Sequence, residues 1–176
     1  GRKILIYVLE NWYKIDEATK GIWIDLIESA GFYPYLDRIT PDESEINTSL
    51  IIRKYAHQSE NLQSKYFHEE QKFVLDLLNS TQNVIVSAPT SFGKSLLIEE
   101  LVASNKYKNI VIIQPTLALL DETRIKLKKY IEDYKLIIRT SQLPSDTKGN
   151  LFLLTAERVM EYPNLPRIDL LVLDEF

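Results

Sequence analysis

Two groups of residues in this chain have the types and spacing to handle a polyphosphate. The first is Ala88-Pro89-Thr90-Ser91-Phe92-Gly93-Lys94-Ser95, set between an apolar run, Val84-Ile85-Val86, and an amphipathic run through Leu96, Leu97, Leu101 and Val102. A loop that ends Gly-Lys-Ser where a helix begins offers backbone N–H groups and the positive helix end to an anion. Gly93 lets the backbone approach that anion with no Cβ between them. Lys94 brings a full charge to the β- and γ-phosphates, and Ser95 a hydroxyl to Mg²⁺. The general pattern opens on Gly where this chain has Ala88, and taken alone the loop also reads as a surface turn with a solvated lysine. The second group is Asp174-Glu175, delivered by the apolar run Leu170-Leu171-Val172-Leu173. Carboxylates at the tip of a buried strand face a cation or water. Asp174 suits Mg²⁺, held through its waters, and Glu175 suits the orientation and deprotonation of an attacking water. A capping or turn role is the plainer reading of that pair by itself.

The elements that must position these groups follow from periodicity. Between residues 61 and 176, helical patterns alternate with continuously apolar short runs. Helices are predicted over 62–78, 94–104, 117–132 and 156–162, and strands at 84–87, 110–113, 136–138, 151–154 and 170–173. This alternation predicts an α/β fold, a parallel sheet with helices on both faces. Ligands of such sheets bind at the C-terminal strand edge, where both groups emerge. Residues 1–57 read differently, as a small all-α module. Ile4, Leu5, Val8, Leu9, Trp12 and Tyr13 form one helical face, and Asp16 caps a second helix carrying Ile22, Trp23, Leu26 and Ile27 and ending at Gly31. Thr40-Pro41-Asp42-Glu43 opens a third helix as a capping box, continuing through Ile46, Leu50, Ile51 and Tyr55.

Order and spacing of these motifs resemble the first RecA-like domain of a superfamily-two helicase of the DEAD/DEAH type, over residues 61–176. Ala88 to Ser95 is similar to motif I of that family, which commonly opens Ala-x-Thr. Gln114-Pro115-Thr116 through Leu120 resembles motif Ia, and Thr155-Ala156-Glu157-Arg158 resembles the Thr-Pro-Glu-Arg motif with Ala156 for Pro. Thr140-Ser141 stands where Thr-Gly is usual, and Asp174-Glu175 is motif II. Gln71 lies where the family has its adenine-reading glutamine. The resemblance implies ATP and Mg²⁺ as cofactors. Ala88, Pro89, Thr90, Ser91, Phe92, Gly93, Lys94, Ser95 and Gln71 hold the nucleotide. Lys94, Asp174 and Glu175 act in catalysis, and Ser95 and Asp174 at the metal. Pro115, Thr116, Thr140, Thr155 and Arg158 meet the backbone of DNA or RNA without reading sequence. It also implies a second RecA-like domain that supplies a transition-state arginine, and a Ser-Ala-Thr strand lying between the strands of motifs I and II. The chain starts at Gly1 and stops at Phe176, directly after motif II. It is therefore expected to be a fragment with an incomplete sheet, inactive as an ATPase on its own.

Composition narrows the field. The 176 residues have no cysteine and two histidines, His57 and His68. That removes disulfides and cysteine- or histidine-rich metal sites, and agrees with a reducing, cytoplasmic setting. No apolar run approaches 20 residues, so no membrane-spanning helix is expected. The net charge of −4 means that nucleic-acid contact is local and not driven by a global field. The expected function is an ATP-dependent helicase or translocase, in a bacterium, with repair, phage defence and RNA metabolism all left open as its pathway. The alternatives are a different P-loop NTPase and a non-catalytic interaction module.

Overall fold

The computed structural model describes residues 1–32, 35–36, 39, 52, 55–80, 83–89 and 92–174. The predicted helix start Thr40-Pro41-Glu43 and its continuation through Ile51, the loop residues Thr90 and Ser91, and Glu175 lie outside the described residues. The chain divides into two compact units, Gly1–Phe92 and Gly93–Phe176.

The first unit opens with α1 (Arg2–Glu10), a 3₁₀ turn Trp12–Lys14 and α2 (Glu17–Ser29). The predicted apolar helix over 4–13 is broken at Asn11. Its Nδ2 donates to Tyr7 O at 2.9 Å, so a side-chain amide competes for the last-turn carbonyl and ends the helix. Asp16 caps α2 as expected, Oδ1 accepting from Ala18 N at 2.9 Å, and Gly31 follows it at φ 74°, a conformation that favours glycine. Leu5, Ile27 and Leu36 form the core here, with Leu9, Trp12 and Trp23 packed around them. Ile22 and Leu26 of the predicted apolar stripe are exposed.

The helix predicted from Leu62 begins only at Glu69, as α3 (Glu69–Asn79). A side-chain hydrogen bond and a backbone bridge hold the preceding stretch in a turn. Ser59 Oγ accepts from Leu62 N at 2.7 Å, and Gln58 bridges Tyr66 in antiparallel fashion. His68 then caps α3, its N–H donating to Gln71 Oε1 at 2.8 Å. The predicted strand 84–87 is a second difference. Val84–Ser87 carries no ladder among the described residues, and Ile85 is 99% exposed. An apolar, β-branched run becomes a strand only where a neighbour takes its backbone groups.

The second unit contains α4 (Lys94–Ala103), β1 (Asn109–Ile113), α5 (Leu117–Leu127), β2 (Tyr134–Ile137), β3 (Gly149–Leu154), α6 (Ala156–Met160) and β4 (Leu170–Leu173). The sheet has order β2-β3-β1-β4 and every pairing is parallel. Period-two alternation sorts the central strands between two cores. Ile110, Ile112, Leu151 and Leu153 pack with Val102 of α4 and with Leu120 and Leu127 of α5. Val111, Ile113, Phe152 and Leu154 face the other way, with Tyr162 and Val159. Burial on both faces explains why β1 and β3 are continuously apolar. On β4, by contrast, Leu171 and Leu173 are exposed. The unit is therefore α/β with a four-stranded parallel sheet flanked by helices, preceded in the chain by a helical part. This matches the RecA-like architecture with its sheet incomplete.

Burial also tunes two tyrosines of this unit. Tyr134, whose hydroxyl donates to Tyr107 O at 2.8 Å, has its phenol pushed up to about 12 by burial and by the charge of Asp133. Tyr162 is raised by burial alone.

Candidate functional site

In the second unit three segments meet at the C-terminal edge of the parallel sheet. The first is the start of α4. Gly93 sits at its N-cap with φ 83° and ψ 34°, a left-handed conformation that a residue with a Cβ adopts only under strain. Leu96 N donates to Gly93 O at 2.9 Å. Lys94, half-buried, and Ser95, exposed, occupy the first turn of this ten-residue helix, where the helix favours negative charge.

The other two segments follow β1 and β4. The ladder between these strands continues one residue beyond them, through Asp174 N to Ile113 O at 3.0 Å. This sets Asp174 beside Gln114, and Gln114 Nε2 donates to Asp174 Oδ2 at 2.9 Å. A small cleft is lined by Ser95, Ile98, Thr123, Lys126, Leu127 and Asp174. The hydroxyl and the carboxylate that the sequence assigns to the metal therefore share one cleft. Among the described residues no group of three or more His, Cys, Asp or Glu side chains could hold a metal. Two hard oxygen donors are a poor cage for Ca²⁺ or Zn²⁺. They do fit Mg²⁺, which keeps most of its waters and takes its remaining ligands from a nucleotide.

A cation of the protein already stands in this cleft. Lys126 Nζ on α5 donates to Ser95 O at 3.0 Å and to Ser95 Oγ at 3.3 Å. It also pairs with Glu99 Oε2 of α4 at 3.1 Å, while Lys129 pairs with Glu99 Oε1 at 2.5 Å. Glu99 is 6% exposed. Burial pushes its carboxyl up, but hydrogen bonds from Lys129 and Lys126 outweigh burial and hold it below the ordinary carboxylate value. Lys129 is raised in turn, first by its hydrogen bond to Glu99. For a carboxyl lowered by folding, stability is present above the unfolded pKa and is lost as pH falls through the folded one. Chemical denaturation midpoints should therefore drop as pH goes below about 4.3, the ordinary glutamate range. Glu99→Gln should flatten that drop while lowering stability at pH 7. An identical acid limb in the variant would dismiss Glu99 as its source.

The residues assigned to nucleic acid lie on the same edge. Pro115 and Thr116 are exposed at the start of α5, and Thr116 Oγ1 caps that helix by accepting from Leu119 N at 3.3 Å. Thr155 is the N-cap of α6. The Glu157 backbone N–H and the Thr155 hydroxyl hold the Glu157 carboxyl below its ordinary value. Arg158 Nη1 donates to Ile138 O at 3.3 Å, which ties α6 to the chain after β2. Thr140 is half-buried in that segment, which Gln142 Oε1 organises by accepting from Ile138 N and Arg139 N at 2.8 and 2.9 Å.

The first unit carries the remaining nucleotide candidates. Ala88 is half-buried and Pro89 exposed in the stretch before α4, and Phe92 N donates to Pro89 O at 3.0 Å. Gln71 is 3% exposed. Its Nε2 donates to Phe92 O at 2.7 Å, while Oε1 takes the His68 N–H. Both ends of its amide thus engage the protein, joining α3 to the residue before Gly93.

Three residues of the edge, Gln114, Glu99 and Lys126, have no assigned role in the sequence reading. Gln114 left a trace in the sequence, as a polar residue closing the run Ile110–Ile113. Glu99 and Lys126 left none, because their pairing is made across two helices 27 residues apart in the chain.

A parallel sheet flanked by helices, with these segments at its C-terminal edge, is the architecture of a RecA-like domain. The family model for the DEAD/DEAH box helicase matches residues 68–176, and the chain belongs to that family. Residues 1–49 match the family model for the Anti-bacteriophage protein B N-terminal domain. Among curated proteins, the chain is 34% identical over 181 residues to Anti-bacteriophage protein B of Escherichia coli (strain K12), covering 100% of this chain and 24% of that protein. The chain therefore spans about a quarter of the length of the curated relative it matches. No solved structure matches it. Among the described residues no helix is long and apolar enough to cross a membrane.

Proposed function

We propose that this chain is the nucleotide-handling part of an ATP-dependent helicase or translocase acting on DNA or RNA, within a longer protein. The observation that carries this reading is the meeting of Ser95 and Asp174 in one cleft, beside a helix that starts from a left-handed glycine. In this reading Ala88 to Ser95 is the phosphate-binding loop, with Lys94 neutralising phosphate charge and Gln71 on the adenine side. ATP with Mg²⁺ supplies a phosphoryl bond whose hydrolysis drives the motor. Ser95 and Asp174 hold the metal, and Glu175 orients and deprotonates the attacking water. Pro115, Thr116, Thr140, Thr155 and Arg158 form a track for a nucleic-acid backbone, which such groups bind without reading bases. Residues 1–57 are a helical module and 61–176 the first RecA-like domain. A second such domain, elsewhere in the protein, completes the site with an arginine.

ATP hydrolysis by the full-length protein, assayed with single- and double-stranded DNA and RNA, tests this. Stimulation by at least one nucleic acid is expected, and residues 1–176 alone should turn over ATP negligibly. ATP turnover by the full-length protein that no nucleic acid changes would favour a different P-loop NTPase. The likeness of the whole chain to an anti-bacteriophage protein supports a second, biological reading, defence of a bacterium against phage. A plaque assay with and without the intact gene tests it.

A further inference from the structure

The geometry points to Gln114 as a positioning residue of the site, one that sets the Asp174 carboxylate for a metal–nucleotide complex. This rests on the nucleotide-binding reading above. Gln114 is 3% exposed, directly after β1. Its backbone N–H donates to Leu154 O at 3.3 Å, so its main chain is held by β3 on one side, while the next strand over presents Asp174. An ionised carboxylate only accepts hydrogen bonds. The group facing Asp174 Oδ2 at 2.9 Å must therefore be the amide nitrogen, and this fixes which way the amide points. Its oxygen, Oε1, is then turned elsewhere, buried and with no hydrogen-bond partner among the described residues.

That oxygen, unpartnered among the described residues, separates a site residue from a packing residue. A leucine or methionine would fill the same space with no unmet acceptor, and buried polar atoms are ordinarily satisfied. A group that is half satisfied here has one end committed to Asp174 and the other open to a donor arriving with the loaded site, such as a water held there. Gln114 acts through Asp174 and is not itself catalytic. Its bond to Oδ2 fixes the carboxylate, so that the other oxygen is presented in one orientation. Outer partners of metal-binding carboxylates act in this manner.

The test is a titration of the full-length protein with a fluorescent ADP analogue, in excess Mg²⁺ and again in chelator. Gln114→Met keeps length and volume but has no donor. It should reduce the Mg²⁺-dependent gain in affinity about tenfold, as loss of an outer-sphere partner does. Binding in chelator should stay within about twofold of wild type on the same principle. Gln114→Asn keeps the amide but falls one methylene short of Asp174, and should show the same metal-specific loss. Thermal unfolding of both variants reports whether the fold survives, and the one that folds decides. An unchanged Mg²⁺-dependent gain overturns the assignment. So does an equal loss with and without Mg²⁺, the mark of a purely structural residue. Wild-type protein that binds the analogue in neither condition overturns the nucleotide reading and this assignment together, which separates the two failures.

Discussion

Replacing Lys94 with alanine in the full-length protein is expected to weaken ATP binding by about two orders of magnitude or more and to abolish turnover, with little change in stability. Lys94 stands in the first turn of α4, immediately after the left-handed Gly93. Backbone N–H groups and the helix end contribute partial charges there, and the ammonium is the one full charge the loop itself supplies to a polyphosphate. Removing a single preorganised group that stabilises anionic charge typically lowers rates by about 10²–10³. The fold should tolerate the change, because Lys94 is half-buried and alanine is a better helix former. Nucleotide titration, steady-state hydrolysis and a thermal melt on the same sample measure all three effects. Near-wild-type affinity in a well-folded Lys94→Ala variant would remove the phosphate-binding role from this loop. Lys126 is no substitute for Lys94, since it lies on α5 and its ammonium is held by Ser95 and Glu99 of α4.

Truncation of Phe152 to alanine should have the largest effect on stability, about 3–5 kcal/mol in denaturant unfolding. Phe152 lies mid-strand in β3 and is 0% exposed. It packs among Val111, Ile113, Ile137, Leu154 and Tyr162. Its ring meets that of Tyr162 edge-on, with centroids 5.3 Å apart and planes at 89°, an arrangement that adds to simple burial. Tyr162 cannot move to fill the cavity without giving up the hydrogen bond from its hydroxyl to Gln142 O. The loss is large beside the roughly 5–15 kcal/mol that holds a typical domain folded. A change under 1 kcal/mol would mean that α6 and the segment after it collapse freely onto the sheet, and that this second core is not tightly packed.

Which parts of this protein were legible from residues alone follows from the range of the interactions involved. Short continuous apolar runs such as Ile110–Ile113 and Leu151–Leu154 announce buried parallel strands, since they are too short for a helix and such strands are covered on both faces. Asp16 announces a helix start, because its capping bond joins residues two apart. The premature stop at Asn11 and the late start of α3 were harder to see. In both, a polar side chain captures a backbone group that periodicity alone assigns to the helix. Val84-Ile85-Val86 has the composition of a strand, yet Ile85 is almost wholly exposed, because a strand is a property of two segments and not of one.

The sequence by itself determined the family, the alternation of helix and strand, and the chemical groups at hand: a glycine, a lysine and a serine at one helix start, and a carboxylate at one strand end. These depend on neighbours in the chain. Only the tertiary structure decided that Ser95 and Asp174 share a cleft, that Lys126 reaches into it from α5, and that Gln114 grips Asp174 with its other end unmet among the described residues. Gln114 and Asp174 stand 60 residues apart, and parallel pairing of β1 with β4 brings them together. No local pattern encodes that distance, because the sheet's strand order is settled by which faces can be buried at once.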